Sequence, residues 1–187
     1  MICYSMAEIY SPSEDSYFFS EFLKDWLKKY KNKSFSYLDM GTGSGILSEV
    51  VSKFTEKKNI LAVDINPSAV KFVRNKGFNS IKSNLFEKVG GKFDLVTFNA
   101  PYLPEDYREP KSSRVATTGG KKGDEISLEF LKQVKNHLNK NGRAFLLISS
   151  LTPMNRIKKF NGKIVARKKL FMEGLLLIEF SIPYSFK

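Results

Sequence analysis

From residue 35 onward, short apolar runs alternate with stretches of helical periodicity, and that rhythm restricts the chain to a mostly parallel sheet with helices on both faces. The runs fall at 35–40, 60–64, 79–83, 93–98, 143–149, 163–171 and 174–182, which makes seven strands. Helices are expected near 45–55, 67–76, 125–139 and 153–160. A first helix over 14–30 precedes them. There Phe18, Phe22, Leu23, Trp26 and Leu27 recur at helical spacing, and Ser13 stands where a cap belongs. The last two strands are joined closely through Glu173-Gly174, so they form an antiparallel hairpin at one edge. No repeat, low-complexity tract or linker divides the 187 residues, and 1–187 reads as one domain.

The expected strand 93–98 runs into Asn99-Ala100-Pro101-Tyr102. That turn lies at the carboxyl end of a strand, where open α/β sheets keep their ligands. An amide or aromatic NH2 has a delocalised lone pair and attacks an electrophile only when its hydrogens are held. The Asn99 side-chain oxygen and the Ala100 carbonyl supply two acceptors, Pro101 fixes the turn, and Tyr102 offers a face to a planar group. The expected chemistry is transfer of a small electrophile to a planar nitrogen.

A second motif, Leu38-Asp39-Met40-Gly41-Thr42-Gly43-Ser44-Gly45, leaves a strand and enters a helix. Its glycines let the backbone approach a ligand, with amides facing it at a helix start. Dinucleotide sites share such turns, but here Ile46 replaces their third small residue, and Asp39 is placed to meet an ammonium. No Gly-Lys-Ser/Thr follows for a nucleoside triphosphate. The next strand ends in Asp64, an acceptor for both ribose hydroxyls; its plainer use as a helix cap is already filled by Asn66, just before Pro67. After the third strand, Asn84 is set to hydrogen-bond an adenine and Leu85 or Phe86 to pack on it, unless 83–86 is only a turn. These pieces outline a pocket for adenosine with an amino-acid tail, which fits S-adenosylmethionine. Its sulfonium methyl is the electrophile, and in-line placement matters more than a dedicated base.

Residues 103–124 form a long polar connection directly after the Asn99 turn. Loops of this length are usually functional or unstructured, and this one, carrying Arg108, Arg114, Lys121 and Lys122, is the candidate substrate lid.

Lysine and arginine outnumber the acids 31 to 19, a formal net charge of +12. The excess favours acidic company such as nucleic acid, the ribosome or an acidic protein, although lysines scattered over helices and turns also read as a solvated surface. Cys3 is the only cysteine, which excludes an internal disulfide and a cysteine zinc cluster, and no metal is expected. No basic leader or membrane-length apolar run is present, so the expectation is a cytoplasmic protein without a membrane partner.

The chain resembles the HemK/PrmC family of class I S-adenosylmethionine-dependent methyltransferases, in its short archaeal and eukaryotic branch. The resemblance rests on Tyr10-Ser11-Pro12-Ser13-Glu14-Asp15-Ser16, LDMGTGSGIL, AVDINPSAV, FDLVTFNAPYLP and the segment Gly119-Gly120-Lys121-Lys122-Gly123 with Glu125. It implies a Rossmann-like methyltransferase fold. It also implies donor contacts at Ser16, Asp39, Gly41, Gly43, Asp64, Asn84 and Leu85, with Asn99 touching donor and acceptor. The branch methylates the glutamine of the Gly-Gly-Gln motif in class I translation release factors. Its eukaryotic members work with a small zinc-binding activator on an apolar sheet edge. Two departures are visible: Ala100 replaces the first proline of Asn-Pro-Pro-Tyr, which keeps the carbonyl but loosens the turn, and Asn84 stands where an acid is common.

One rival acceptor shares the planar NH2, an adenine exocyclic amine in rRNA, or in DNA after base flipping; another is a protein lysine, whose ammonium must first lose a proton. A non-catalytic scaffold is a third class, opposed by the intact glycine loop, Asp64 and Asn99. His137 reads as a surface histidine, while Phe18, Phe22, Trp26 and 175–180 read as core.

Overall fold

The computed structural model describes residues 9, 11–30, 34–106, 108, 116–171 and 173–181. Its seven strands are β1 (Tyr37–Met40), β2 (Ile60–Asp64), β3 (Asn79–Lys82), β4 (Phe93–Asn99), β5 (Leu138–Ser149), β6 (Lys163–Lys169) and β7 (Gly174–Ser181). They form one sheet in the order β3-β2-β1-β4-β5-β7-β6. The first five run parallel, and β7 pairs antiparallel with both β5 and β6, as the sequence anticipates.

The period-2 alternation of the central strands divides the apolar residues between two faces. Leu38, Met40, Val96, Phe98, Leu146 and Ile148 go to one, where Phe130 and Leu131 of α4 (Glu125–Val134) cover them. Tyr37, Leu95, Phe145 and Leu147 go to the other, under Phe19, Leu23 and Leu27 of α1 (Glu14–Leu27). Each such buried side chain contributes about 1.5–3 kcal/mol. Phe22 and Trp26 meet the Phe145 ring edge to face at 5.3 and 5.0 Å, so these aromatics are core and not a stacking strip. The remaining helices are α2 (Ile46–Val51), α3 (Pro67–Asn75) and α5 (Met154–Ile157). Among the described residues no helix is long and apolar enough to cross a membrane.

Several boundaries differ from the sequence expectation. The first helix tightens to a 3-10 turn at Lys28–Tyr30, and the helix expected at 125–139 does the same at Lys135–His137. Ser13 occupies the cap position of α1, but its hydroxyl donates to Asp15 (2.9 Å) instead of accepting from the helix. Strand β5 starts at Leu138, five residues early. Asn139-Lys140-Asn141-Gly142 reads as a turn, with Asn141 at φ +69°, yet it is carried inside the strand as a register shift against β4. Strand β6 stops at Lys169, two residues short of the expectation, and the Leu170 amide donates to the Glu173 carbonyl (2.8 Å) before β7 begins at Gly174. His137 is half-buried: it stacks on Phe86 at 4.4 Å, with Nδ1 3.1 Å from the Gly91 carbonyl. No cluster of metal-ligating side chains occurs among the described residues.

Candidate active site

Because β1 lies between β2 and β4, the chain leaves it in opposite directions, and a crevice opens where the carboxyl ends of β1 and β4 diverge. Met40 pairs with Phe98, which brings Gly41, at the end of β1, level with Asn99, at the end of β4. A cavity of about 620 Å³ occupies the crevice. It gathers all of the expected site residues: Ser16, Asp39, Gly41, Gly43, Asp64, Asn84, Leu85, Asn99, Ala100, Pro101 and Tyr102. The lid enters it through Leu103 and 116–118, while Tyr107 and 109–115 of that loop lie outside the described residues, as does Tyr10 of the N-terminal motif.

The glycine loop is pinned from beneath by two carboxylates. Asp39, 1% exposed, accepts from the Thr42 hydroxyl (2.8 Å) and from both the hydroxyl (2.6 Å) and the amide (3.2 Å) of Ser48. Its other oxygen is 3.4 Å from Thr97 Oγ1, which lies 2.5 Å from the Tyr37 hydroxyl. Burial raises the Asp39 pKa to about 6 against these hydrogen bonds. Asp64 accepts from the Gly43 amide and the Asn66 amide, both at 2.8 Å, and its pKa is likewise raised by burial. The cap of α3 is indeed Asn66, which accepts from the Ser68 amide (2.9 Å), leaving Asp64 to face the cavity. At Gly41, φ is +64° and a Cβ would lie 2.9 Å from the Phe98 ring, so the close approach of β1 and β4 admits no side chain there.

At the third strand's end the two packing candidates part ways. Leu85, at φ +45°, lines the cavity beside Asn84. Phe86 turns into the core and stacks on Phe130, so its expected adenine contact does not form. The Asn84 amide donates to Glu87 (2.7 Å), which orients its oxygen.

On the opposite wall the Asn99 side-chain nitrogen donates to Asp15 (3.1 Å), with Ser16 Oγ at 3.5 Å. That fixes the amide, and its Oδ1 is buried with no hydrogen-bond partner among the described residues. The turn beyond it is clamped by the far end of the lid. Leu103 N donates to Thr117 O (2.9 Å), Gly119 N to Leu103 O (2.8 Å) and Glu105 N to Gly120 O (2.9 Å). A Cβ on Gly119 would sit 2.5 Å from the Pro101 carbonyl, which explains a glycine there.

The family description "Methyltransferase small domain" matches residues 15–172. The chain belongs to this family. A Methanocaldococcus jannaschii protein named "Putative protein N5-glutamine methyltransferase MJ0928" is 40% identical over 91% of this chain and 90% of its own length. A release factor glutamine methyltransferase of Aquifex aeolicus is 31% identical over 56% of this chain and 42% of that protein. A ribosomal protein uL3 glutamine methyltransferase of Francisella tularensis is 31% identical over 57% and 39%. Among solved structures, a ribosomal protein L11 methylase from Lactobacillus delbrueckii subsp. bulgaricus shares the fold at TM-score 0.63 and 21% identity, covering 90% of this chain and 79% of that one. The Thermus 16S rRNA N2 G1207 methyltransferase, solved with AdoMet and guanosine, does so at 0.61 and 16%, covering 91% and 44%.

The cofactor of this methyltransferase is S-adenosylmethionine, and the donor set fits it: the buried Asp39, the half-buried Asp64, glycine amides and the Asn84–Leu85 corner line one continuous cavity. Four features of the methyltransferase site escape the sequence reading. Asp15, adjacent to the expected Ser16, holds Asn99. Thr97 and Tyr37 bridge β1 and β4 under the glycine loop. Asp124, fully buried before α4, takes the Arg156 guanidinium of α5 (Nε at 2.8 Å), tying the lid's end to the C-terminal third of the chain. Glu173 lines the cavity from the β6–β7 turn and accepts from the Ser149 hydroxyl. Only Asp15 carries a local signal, a second acidic residue in the first helical turn.

Proposed function

We propose that this methyltransferase transfers a methyl group to the side-chain nitrogen of a protein glutamine, and that its acceptor is the Gly-Gly-Gln glutamine of a class I translation release factor. The reading is carried by Asn99, whose nitrogen is engaged by Asp15 while its buried Oδ1 awaits a donor. A carboxamide NH2 presents two hydrogens, for which Asn99 Oδ1 and the Ala100 carbonyl are the acceptors. Held so, the nitrogen lone pair turns out of conjugation toward the methyl. The two carbonyl dipoles would stabilise the positive charge that develops on the nitrogen as the N–C bond forms at the expense of the donor's S–C bond, and one proton then leaves the nitrogen for water. S-adenosylmethionine supplies an activated methyl on a sulfonium leaving group. On the donor side, Asp64 serves the ribose, Asp39 the ammonium end, Asn84 and Leu85 the adenine, and the Gly41 and Gly43 backbone gives close approach.

The methanogen relative's name supports protein glutamine as the acceptor class. The Francisella relative keeps a ribosomal protein in view as the second reading. In this reading a small zinc-binding activator, where one exists, covers an apolar edge of the sheet, and the setting is cytoplasmic. The test is mass spectrometry of a cognate release factor and of ribosomal protein uL3 after incubation with enzyme and S-adenosylmethionine, with and without the activator. Methylation of the Gly-Gly-Gln glutamine, lost in Asn99→Ala, is expected. Modification of uL3 alone would replace the release factor, and failure on both with donor binding intact would defeat the glutamine reading.

A further inference from the structure

The net charge of +12 is not spread over the molecule. Residues 130–172 contain eleven lysines and arginines and no aspartate or glutamate, so the rest of the chain holds twenty cations against nineteen anions. This acid-free stretch supplies α5, the 3-10 turn Lys158–Phe160 and the edge strand β6. Ile157 is buried in the same core as Ile178 and Phe180, with Phe160 and Ile164 packed on it, which seats α5 and its turn on one face of the β7–β6 edge.

Beyond the register shift at 164–166, strand alternation sends Ala166, Lys168 and Leu170 to the α1 side, where Ala166 and Leu170 join the core and Lys168 approaches Glu14 at 3.8 Å. Arg167 and Lys169 therefore project on the α5 side, where Lys158 and Lys159 are also exposed. Among the described residues no carboxylate lies within 4.0 Å of Lys158, Lys159, Lys163, Arg167 or Lys169. At the hairpin end an open cleft of about 430 Å³ is lined by Arg167, Lys169 and Phe171, and Glu173 borders both it and the active-site cavity. Phe171 is fully exposed.

We infer that this edge binds single-stranded RNA, with the cations tracking phosphates and Phe171 stacking on a base, so that the acceptor reaches the site from an RNA-containing assembly. Protein–protein interfaces mix charge signs to set register and reject wrong partners, whereas nucleic-acid interfaces are strongly positive. Five cations at this edge without a carboxylate within 4.0 Å among the described residues, against the single Glu173 at the cleft, match the second pattern. A solvent-exposed aromatic beside a cation pair is the arrangement that grips an unpaired base and its backbone together. The inference goes beyond the proposed reaction and stands without it, because binding is read with no methyl donor present.

The experiment is fluorescence anisotropy of a fluorescein-labelled 12-nucleotide single-stranded RNA over a salt series, using the full chain. Arg167→Glu with Lys169→Glu is expected to weaken binding at least tenfold and lower the log–log salt slope by about 1.4. Phe171→Ala is expected to weaken it about fivefold, with the slope unchanged. Lys24→Glu with Lys71→Glu, the same charge change on α1 and α3, is expected to stay within about twofold. Thermal unfolding and S-adenosylmethionine binding report that each variant is folded. Equal loss in the two double variants would reduce the effect to net charge and overturn the proposal. So would absence of binding, or displacement of the RNA by polyglutamate at equal charge concentration, which would mark the edge as a dock for an acidic protein.

Discussion

On the donor side of the cavity every carboxylate oxygen of Asp39 and Asp64 already accepts a hydrogen bond from the protein, whereas on the acceptor side Asn99 Oδ1 accepts none from the described residues. The two carboxylates of the donor wall lie within residues 39–64 and are fully hydrogen-bonded by the protein, while its Asn84–Leu85 corner comes later in the chain. The acceptor wall is gathered from residues 15, 99 and 117–120, and it leaves one polar atom for the substrate to satisfy. A buried unpaired acceptor costs about 1–3 kcal/mol, which a group with an N–H or O–H to donate relieves and an apolar group does not. In the proposed reaction the preference for a hydrogen-bond donor thus lies in the wall that is left incomplete.

If the walls are separable, Asn99→Ala should lower the methylation rate by about 10³-fold while S-adenosylmethionine affinity, measured by calorimetry, changes less than about threefold. A parallel loss of donor affinity would erase the distinction. Next in size, Arg156→Met strands the buried Asp124 carboxylate and should remove about 3 kcal/mol in urea unfolding, with Asp124→Asn in the same chain restoring part of it. A smaller effect, and the mirror image of the first, is expected from Asp64→Ala. Donor affinity should drop by about 2 kcal/mol, roughly thirtyfold, with the rate at saturating donor retained.

The weakest handle is pH. Burial holds the Asp39 pKa at about 6 in the folded protein, against an ordinary 3.8, so its contribution to stability is full below 3.8 and is lost as pH rises through 6. Donor affinity should run the opposite way. Protonation below pH 6 removes the partner of the donor's ammonium, and affinity should fall. Asp39→Asn should flatten both curves between pH 4 and 7.5, measured by chemical unfolding and calorimetry, apart from the residual slope that Asp64, shifted in the same direction, leaves behind. Parallel pH trends would show that Asp39 does not meet the ammonium.

The donor wall was legible because its residues sit where a strand ends and a helix begins, and the strand–helix rhythm locates such points. Asn99 was legible for the same reason. What holds Asn99 was not, because Asp15 is 84 positions away and only the packing of α1 against the sheet joins them. Phe86 and Leu85 are adjacent and apolar, and a left-handed backbone at Leu85, invisible in the sequence, decides which one faces the cavity. Gly119 shows the same limit: its lack of a side chain has meaning only once the Pro101 carbonyl is beside it. The early start of β5 was hidden because Asn141 and Gly142 have turn chemistry inside a strand.

The Asp124–Arg156 pair also imposes an order on events in time. Asp124 belongs to the segment that clamps the Asn99 turn, but its counter-charge arrives only with α5, thirty-two residues later. Without that guanidinium a buried Asp124 carboxylate would be unpaired, a state that favours its staying in water. Closure of the acceptor wall therefore depends on a residue synthesised well after the wall itself, and it waits until the C-terminal third has packed onto the sheet.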